Sequence, residues 1–177
     1  YMAKKLHQHI EDLTCRYCHK RPETMYHIAC SCPVLAPTLY HKRHNAGFKV
    51  VFFHLLKLHN FIQCVPPWFS EVTPDPVYEN QSACLKWDIP VFTERGLDHN
   101  RPDALYWDNE SKILWVLEMA VPWVDKLQSK KEEKDSKYQL LREELQLIYP
   151  EYKVQQCSII MDILGGHTYE LRDSLKT

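Results

Sequence analysis

Two groups of side chains in this 177-residue chain have types and spacings that could do chemistry. In the first, Asp103 follows Arg101-Pro102, Glu118 comes fifteen residues later in an apolar run, and Lys130, Lys134, Lys137 and Tyr138 follow in a charged segment. Two carboxylates can hold a hard divalent ion, and an ammonium beside it can stabilise charge on a phosphate under attack and orient water. These are the parts of a phosphodiesterase dependent on Mg2+ or Mn2+, with Asp103, Glu118, Lys134, Lys137 and Tyr138 as candidate catalytic residues. The second group is Cys15-x2-Cys18-x8-His27-x4-Cys32. Zn2+ takes four soft or borderline ligands in a tetrahedron, and this spacing supplies them with little loop-closure cost. Cys30 competes with Cys32 for the fourth position, but a helix carrying His-x4-Cys presents both on one face, which favours Cys32. The plain alternative is a set of cysteines clustered in a reduced protein.

Several elements must position these groups. Met2, Leu6, Ile10 and Leu13 predict a helix over 1–13, and a long helix is predicted from Thr38 to Phe61. Near its start, Arg43-His44-Asn45 could grip a phosphate backbone or form an ordinary solvated face. The Pro-rich stretch 65–82 marks a boundary between a module at 1–64 and a second at 65–177. Cys84 to Phe92 alternates like a strand, and Pro90 makes it an edge strand or a bent one. Asp103–Trp107 and Lys112–Val121 flank the turn residues Asn109-Glu110-Ser111, predicting an antiparallel hairpin. With a two-residue loop at Glu110-Ser111, Asp103 lies opposite Glu118, with Cβ atoms about 4.5–5.5 Å apart. Both carboxylates then share a face with Leu105, Val116 and Ala120, and burial plus mutual repulsion should raise at least one pKa until a metal arrives. One helix after Val124-Asp125 would carry Lys130, Lys134, Lys137, Tyr138, Leu141, Leu145 and Ile148 on a single inward stripe. Val154–Leu164 reads as a last core strand ended by Gly165-Gly166, with His167 in a loop and a closing helix beyond it. Trp68, Trp107 and Trp123 lie near loop ends, where packing is the first expectation and base stacking the second.

Composition sets the outer limits. Hydrophobic residues make up 45% and charged residues 25%, and no apolar run approaches the roughly 18 residues of a spanning helix, so a soluble protein without membrane contact is expected. The net charge of −1 hides an asymmetry: residues 1–49 hold eight Lys/Arg against three Asp/Glu, and the rest hold fourteen against twenty. A basic front suits phosphate and an acidic remainder suits divalent metal. Seven cysteines and no export signal point to a reducing compartment, where thiolates are ligands or buried apolar groups. The opening on Tyr1 suggests a segment of a longer protein.

The ordered set of motifs resembles the C-terminal region of non-LTR retrotransposon polyproteins of the ribosomal-DNA-inserting type, over nearly the whole length. The likeness lies in the Cys15, Cys18, His27, Cys32 set with Glu23-Thr24, the Tyr40–Asn45 stretch with Arg43-His44, Tyr78-Glu79-Asn80 and Leu85-Lys86-Trp87-Asp88. It continues through Arg101-Pro102-Asp103, Glu118-Met119-Ala120-Val121-Pro122, Glu133-Lys134 and Lys137-Tyr138. The resemblance implies a PD-(D/E)xK restriction-endonuclease-like α/β core, a central mixed sheet flanked by helices, preceded by a helical CCHC zinc-knuckle module. It implies a nuclear endonuclease that nicks double-stranded target DNA so that a covalently linked reverse transcriptase can prime from the exposed 3′-hydroxyl, with element RNA as a possible further partner. Asp103 and Glu118 would bind catalytic Mg2+ or Mn2+, Lys134 or Lys137 would be the catalytic lysine, and Arg43, His44 and Arg101 would contact nucleic acid. Structural Zn2+ would sit on Cys15, Cys18, His27 and Cys32. The family carries its catalytic lysine on the helix, and the position two after Glu118, where related nucleases often place it, is here Ala120; the one departure is Glu118, which stands where many members of this branch have Asp. The other readings are a binding module that no longer cuts, and a junction or repair nuclease of the same fold, which would not need the knuckle.

Overall fold

The structure, a computed structural model, describes residues 13–167. The helices predicted over 1–13 and beyond His167 lie outside the described residues, apart from Leu13, which is not helical. Two short π-helical turns, His27–Ser31 and Ala36–Tyr40, lead into helix α1, His41–Leu58. Strands β1 (Val77–Glu79), β2 (Ala83–Trp87), β3 (Ala104–Asp108) and β4 (Ile113–Ala120) follow. A 3-10 turn at Val124–Lys126 then leads into helices α2 (Leu127–Lys137) and α3 (Gln139–Ile148), and β5 (Lys153–Ile160) closes the set. The strands form one sheet in chain order, antiparallel from β1 to β4, with β5 parallel to β4. The chain is therefore an α/β protein, a five-stranded mixed sheet flanked by helices. The apolar run of β4 suits a strand with a neighbour on each side and helices over both faces.

Alternation along the strands divides the apolar residues between two cores. Ala104, Tyr106, Leu117 and Met119 turn toward α1 and pack with Phe48, Phe52, Phe53 and Leu56. Leu105, Trp107, Leu114 and Val116 turn the other way and pack with Tyr138, Leu141 and Leu145. The buried stripe of α1 is His44, Phe48, Phe52 and Leu56, four residues apart, while Leu39 and Leu58 are exposed. α1 lies close against β4: a Cβ built on Gly47 would come within 2.8 Å of Met119 Cε.

The hairpin register is the one read from the sequence, from Ala104 opposite Leu117 to Asp108 opposite Ile113. The loop spans four residues rather than two. Asp108 Oδ1 accepts hydrogen bonds from the Glu110 and Ser111 amides at 3.0 Å each, and Lys112 takes a φ of 55°. Widening the loop equally on both sides leaves the pairing unchanged. Four expectations are corrected. The long helix begins as a separate π turn and runs as α1 only from His41 to Leu58. The strand at Cys84 ends at Trp87, ahead of Pro90, and is interior to the sheet because β1, from the Pro-rich stretch, takes the edge. The single lysine-leucine helix breaks at Tyr138, whose φ of −103° and ψ of 13° separate α2 from α3, and Ile148 at its end is exposed. The last strand stops at Ile160, four residues before Leu164.

Leu145 is 1% exposed in the core under α3. Leu145→Ala should therefore lower unfolding free energy by about 2–5 kcal/mol, read as a lower urea midpoint with unchanged slope.

Candidate active site and metal cluster

The carboxylate centre forms where the β3–β4 ladder ends. Ala104 opposite Leu117 is the last backbone pair, so Asp103 and Glu118 are not joined by ladder hydrogen bonds. Their side chains take over that role. The Asp103 amide donates to Glu118 Oε1 at 3.1 Å, and the Met119 amide donates to Asp103 Oδ2 at 2.7 Å. Each carboxylate thus satisfies a backbone N–H of the opposite strand that would otherwise lack a partner. Glu118 is fully buried on the α2–α3 face, while Asp103 lines an open cleft of about 410 Å³. Tyr40, His44, Asn45, Asp88, Arg101 and Lys134 also line this cleft.

α2 brings Lys134 to the buried carboxylate, with Nζ 2.5 Å from Glu118 Oε2. Lys137 goes elsewhere: its ammonium donates to the Tyr138 hydroxyl at 3.1 Å and lies 4.7 Å from that ring's centre. The Tyr138 hydroxyl in turn donates to the Arg101 carbonyl at 3.1 Å, tying the helix break to the segment that carries Asp103 into β3. Burial and the Asp103 charge push the Glu118 carboxyl above its ordinary range, and Lys134 pulls it only partly back. Burial would also raise Asp103, but the His44 hydrogen bond and charge, with Lys134, bring it below the usual carboxylate value. The two carboxylates are therefore driven apart in acidity, as paired acidic groups in a shared site are. Burial pushes the Tyr138 hydroxyl up, and the Glu118 carboxylate adds to that, keeping it protonated.

The three residues expected at nucleic acid occupy different surroundings. Arg101 sits at the cleft rim, 58% exposed, with its guanidinium on the Asp88 carboxylate at 2.7 and 2.9 Å. Arg43 faces away from the cleft: Nη2 donates to the Ala29 carbonyl at 3.0 Å and the guanidinium lies over the Tyr40 ring. His44 is 9% exposed and reaches Asp103 Oδ2 at 3.0 Å. Burial would lower its pKa, but the Asp103 hydrogen bond and charge raise it overall. The sequence did carry a signal for this placement, because His44 continues the four-residue stripe of Phe48, Phe52 and Leu56. Asp88, the partner of Arg101, had no such signal. Of the tryptophans, Trp107 is buried, Trp123 meets Tyr26 edge to face at 5.7 Å, and Trp68 is 72% exposed.

Cys15, Cys18, His27 and Cys32 converge in a separate cluster, with one potential ligand atom from each lying within 4.8 Å of the others. Cys30 is not part of this group. Cys15 Sγ is 3.9 Å from Cys32 Sγ, and Cys18 Sγ is 3.2 Å from His27 Nε2. A tetrahedron with sulfur ligands about 2.3 Å from a central ion has edges of roughly 3.8 Å, so these four side chains could hold a metal such as zinc. The His27 amide bonds the Thr24 hydroxyl at 3.1 Å, and Ser31 Oγ lies 3.4 Å from ring Nδ1, leaving Nε2 for the centre. Burial would raise the Cys18 thiol, but the Lys20 amide and the His27 ring outweigh it and lower it to about 6. Arg16 clasps Glu23 across the loop between the cysteines and the histidine, with Nη2 2.5 Å from Oε1, and holds that carboxyl down at about 2.

Comparison of the chain with protein-family models, with curated proteins and with solved structures finds no match in any of the three. No helix among the described residues is long and apolar enough to cross a membrane.

Proposed function

We propose that the protein is a metal-dependent DNA endonuclease of the PD-(D/E)xK type, carrying a zinc knuckle ahead of its catalytic core. The observation that carries this reading is the meeting of Asp103, Glu118 and Lys134 at the open end of the sheet, beside a cleft rimmed by Arg101. A fully buried glutamate beside a second carboxylate, with one ammonium bound to the glutamate, is costly for a purely structural protein. Its donor atoms suit a hard divalent ion. Among the described residues, Asp103 Oδ1 accepts no hydrogen bond, so one oxygen is uncommitted in a residue that lines the cleft.

In this reading Asp103 and Glu118 hold Mg2+ or Mn2+, which when bound supplies Lewis-acid stabilisation and makes water more acidic. Lys134 holds Glu118 in its charged form and places a positive charge beside the phosphate to be attacked. Lys137 keeps the Tyr138 ring and hydroxyl in place at the helix break. Arg101 meets the phosphodiester backbone by exchanging its Asp88 partner for phosphate oxygens. The substrate is double-stranded DNA, and the product would be a nick with a 3′-hydroxyl suited to priming by a linked reverse transcriptase. With element RNA as a further partner, such a protein would act in the nucleus.

A plasmid-nicking assay with Mg2+ or Mn2+ tests the assignment. Asp103→Asn keeps the size and much of the hydrogen bonding of the side chain but removes its charge, so the nicking rate should fall by about two to three orders of magnitude. A preparation whose nicking survives this substitution would place the cutting site elsewhere.

A further inference from the structure

We propose that His44 is a positioning residue that sets the rotation of the Asp103 carboxylate, rather than a phosphate contact, a metal ligand or a general base. This inference rests on the reading of Asp103 as a metal-binding carboxylate. Each nitrogen of the His44 ring faces a different set of partners. Nε2 lies 3.0 Å from Asp103 Oδ2 and 3.1 Å from the Met119 carbonyl oxygen. The carbonyl cannot donate, and an ionised carboxylate cannot either, so Nε2 carries a proton shared between two acceptors. A nitrogen in that state has no lone pair for a metal ion and cannot take a proton from water. Nδ1 lies 3.0 Å from Asn45 Oδ1. As placed, that oxygen makes the ring an imidazolium, and with the amide turned over the ring is neutral; Nε2 keeps its proton in both states.

Asp103 Oδ2 consequently receives two donors, the His44 ring and the Met119 amide. Two bonds on one oxygen fix the carboxylate plane and leave Oδ1 for the cleft. The fold brings the ring to this point through the close approach of α1 to β4, where Gly47 faces Met119. His44 is 9% exposed, which leaves its ring little surface to offer a phosphate backbone.

The isosteres separate these roles. The amide nitrogen of glutamine falls near the place of Nε2, whereas that of asparagine falls near Nδ1 and short of Asp103. Mn2+ affinity is measured by calorimetry on zinc-loaded protein, and DNA affinity by gel shift without added divalent ion. His44→Ala and His44→Asn should weaken Mn2+ binding by about 10- to 100-fold, while His44→Gln stays within about threefold of the parent. DNA affinity should be unchanged in all three. Mn2+ affinity unchanged in His44→Asn, or weakened equally in His44→Gln, overturns the assignment. So does loss of DNA affinity alone, which marks a phosphate contact. Asp103→Asn separates the two levels of failure. If it leaves Mn2+ binding intact, the carboxylate centre itself is rejected and His44 falls with it; if it removes binding and His44→Asn does not weaken it, only the role of His44 is lost.

Discussion

Lys134→Met should reduce nicking by about two to three orders of magnitude, whereas Lys137→Met should leave it within about tenfold of the parent. The sequence offered both lysines to the same carboxylates, three residues apart on a helix. Geometry separates them, because the Lys134 ammonium reaches Glu118 Oε2 while Lys137 is occupied with Tyr138. The Lys134 side chain is 14% exposed and that of Glu118 is 0%, so solvent screening does little to weaken the pair. Removing one partner of a buried pair typically costs about 3–5 kcal/mol, and here uptake of a proton by Glu118 would reduce that cost.

The same proton gives a stability test that needs no activity. Glu118 already titrates above its ordinary value because of burial and Asp103, and without Lys134 it must rise further. A carboxyl whose folded pKa exceeds its unfolded value of about 4.3 binds more protons folded than unfolded. Stability is therefore lost as pH rises from the unfolded value through the folded one. The urea midpoint of Lys134→Met should be higher near pH 5 than near pH 8, with a steeper decline than in the parent, and Mg2+ should recover part of the loss at the higher pH. A variant that nicks normally while Lys137→Met is inactive would reverse the two assignments.

How much of this could be read in the sequence depended on the distance along the chain over which each constraint acts. The hairpin register is local: Asp108 to Ile113 encode their own turn, so the approach of Asp103 to Glu118 followed even though the loop length was misjudged. The division of lysines was not legible, because a helical stripe treats Lys134 and Lys137 alike. Both lie in α2 ahead of the break at Tyr138, and they part through their partners: Lys134 reaches Glu118, while Lys137, at the last position of the helix, meets the Tyr138 hydroxyl that the Arg101 carbonyl holds in place. His44 and Asp103 are 59 positions apart, and their contact depends on how closely α1 packs on β4. His44 was expected on a phosphate contact or a solvated face; its four-residue spacing from Phe48, Phe52 and Leu56 would have pointed to burial, but nothing local points to Asp103 as its partner. Arg43 looked like its neighbour in sequence but points to a different part of the fold, because consecutive helix positions are about 100° apart around the axis.

Removing the metal from the cysteine-histidine cluster should unravel residues 13–35 and leave the sheet folded. Among the described residues, Cys15, Cys18 and Cys32 pack with Ile28 and Leu35 as their apolar neighbours, a small core that a metal cross-link would reinforce. By contrast, α1 has its own large interface with the sheet through Phe48, Phe52, Phe53 and Leu56. The Cys18 thiol is lowered to about 6 and gives up its proton readily near neutral pH, whereas burial raises the Cys15 thiol, which must release a proton as metal enters. Strong chelation should therefore make residues 13–35 susceptible to protease and erase their amide protection, while protection across β3, β4 and β5 persists. Cys18→Ser and Cys32→Ser should each lower zinc content from about one ion per chain toward zero, and Cys30→Ser should leave it unchanged. Retention of zinc by Cys32→Ser but not Cys30→Ser would exchange the fourth ligand. The segment is joined to the body by the Arg43 bond to the Ala29 carbonyl and by Tyr26 against Trp123. Arg43 immediately precedes His44, so releasing the Cys–His segment frees the first turn of α1 from one side. If protection around His44 and Asp103 also falls on chelation, the metal cluster braces the carboxylate centre; if it does not, the contact between Gly47 and Met119 is sufficient to hold α1 in place.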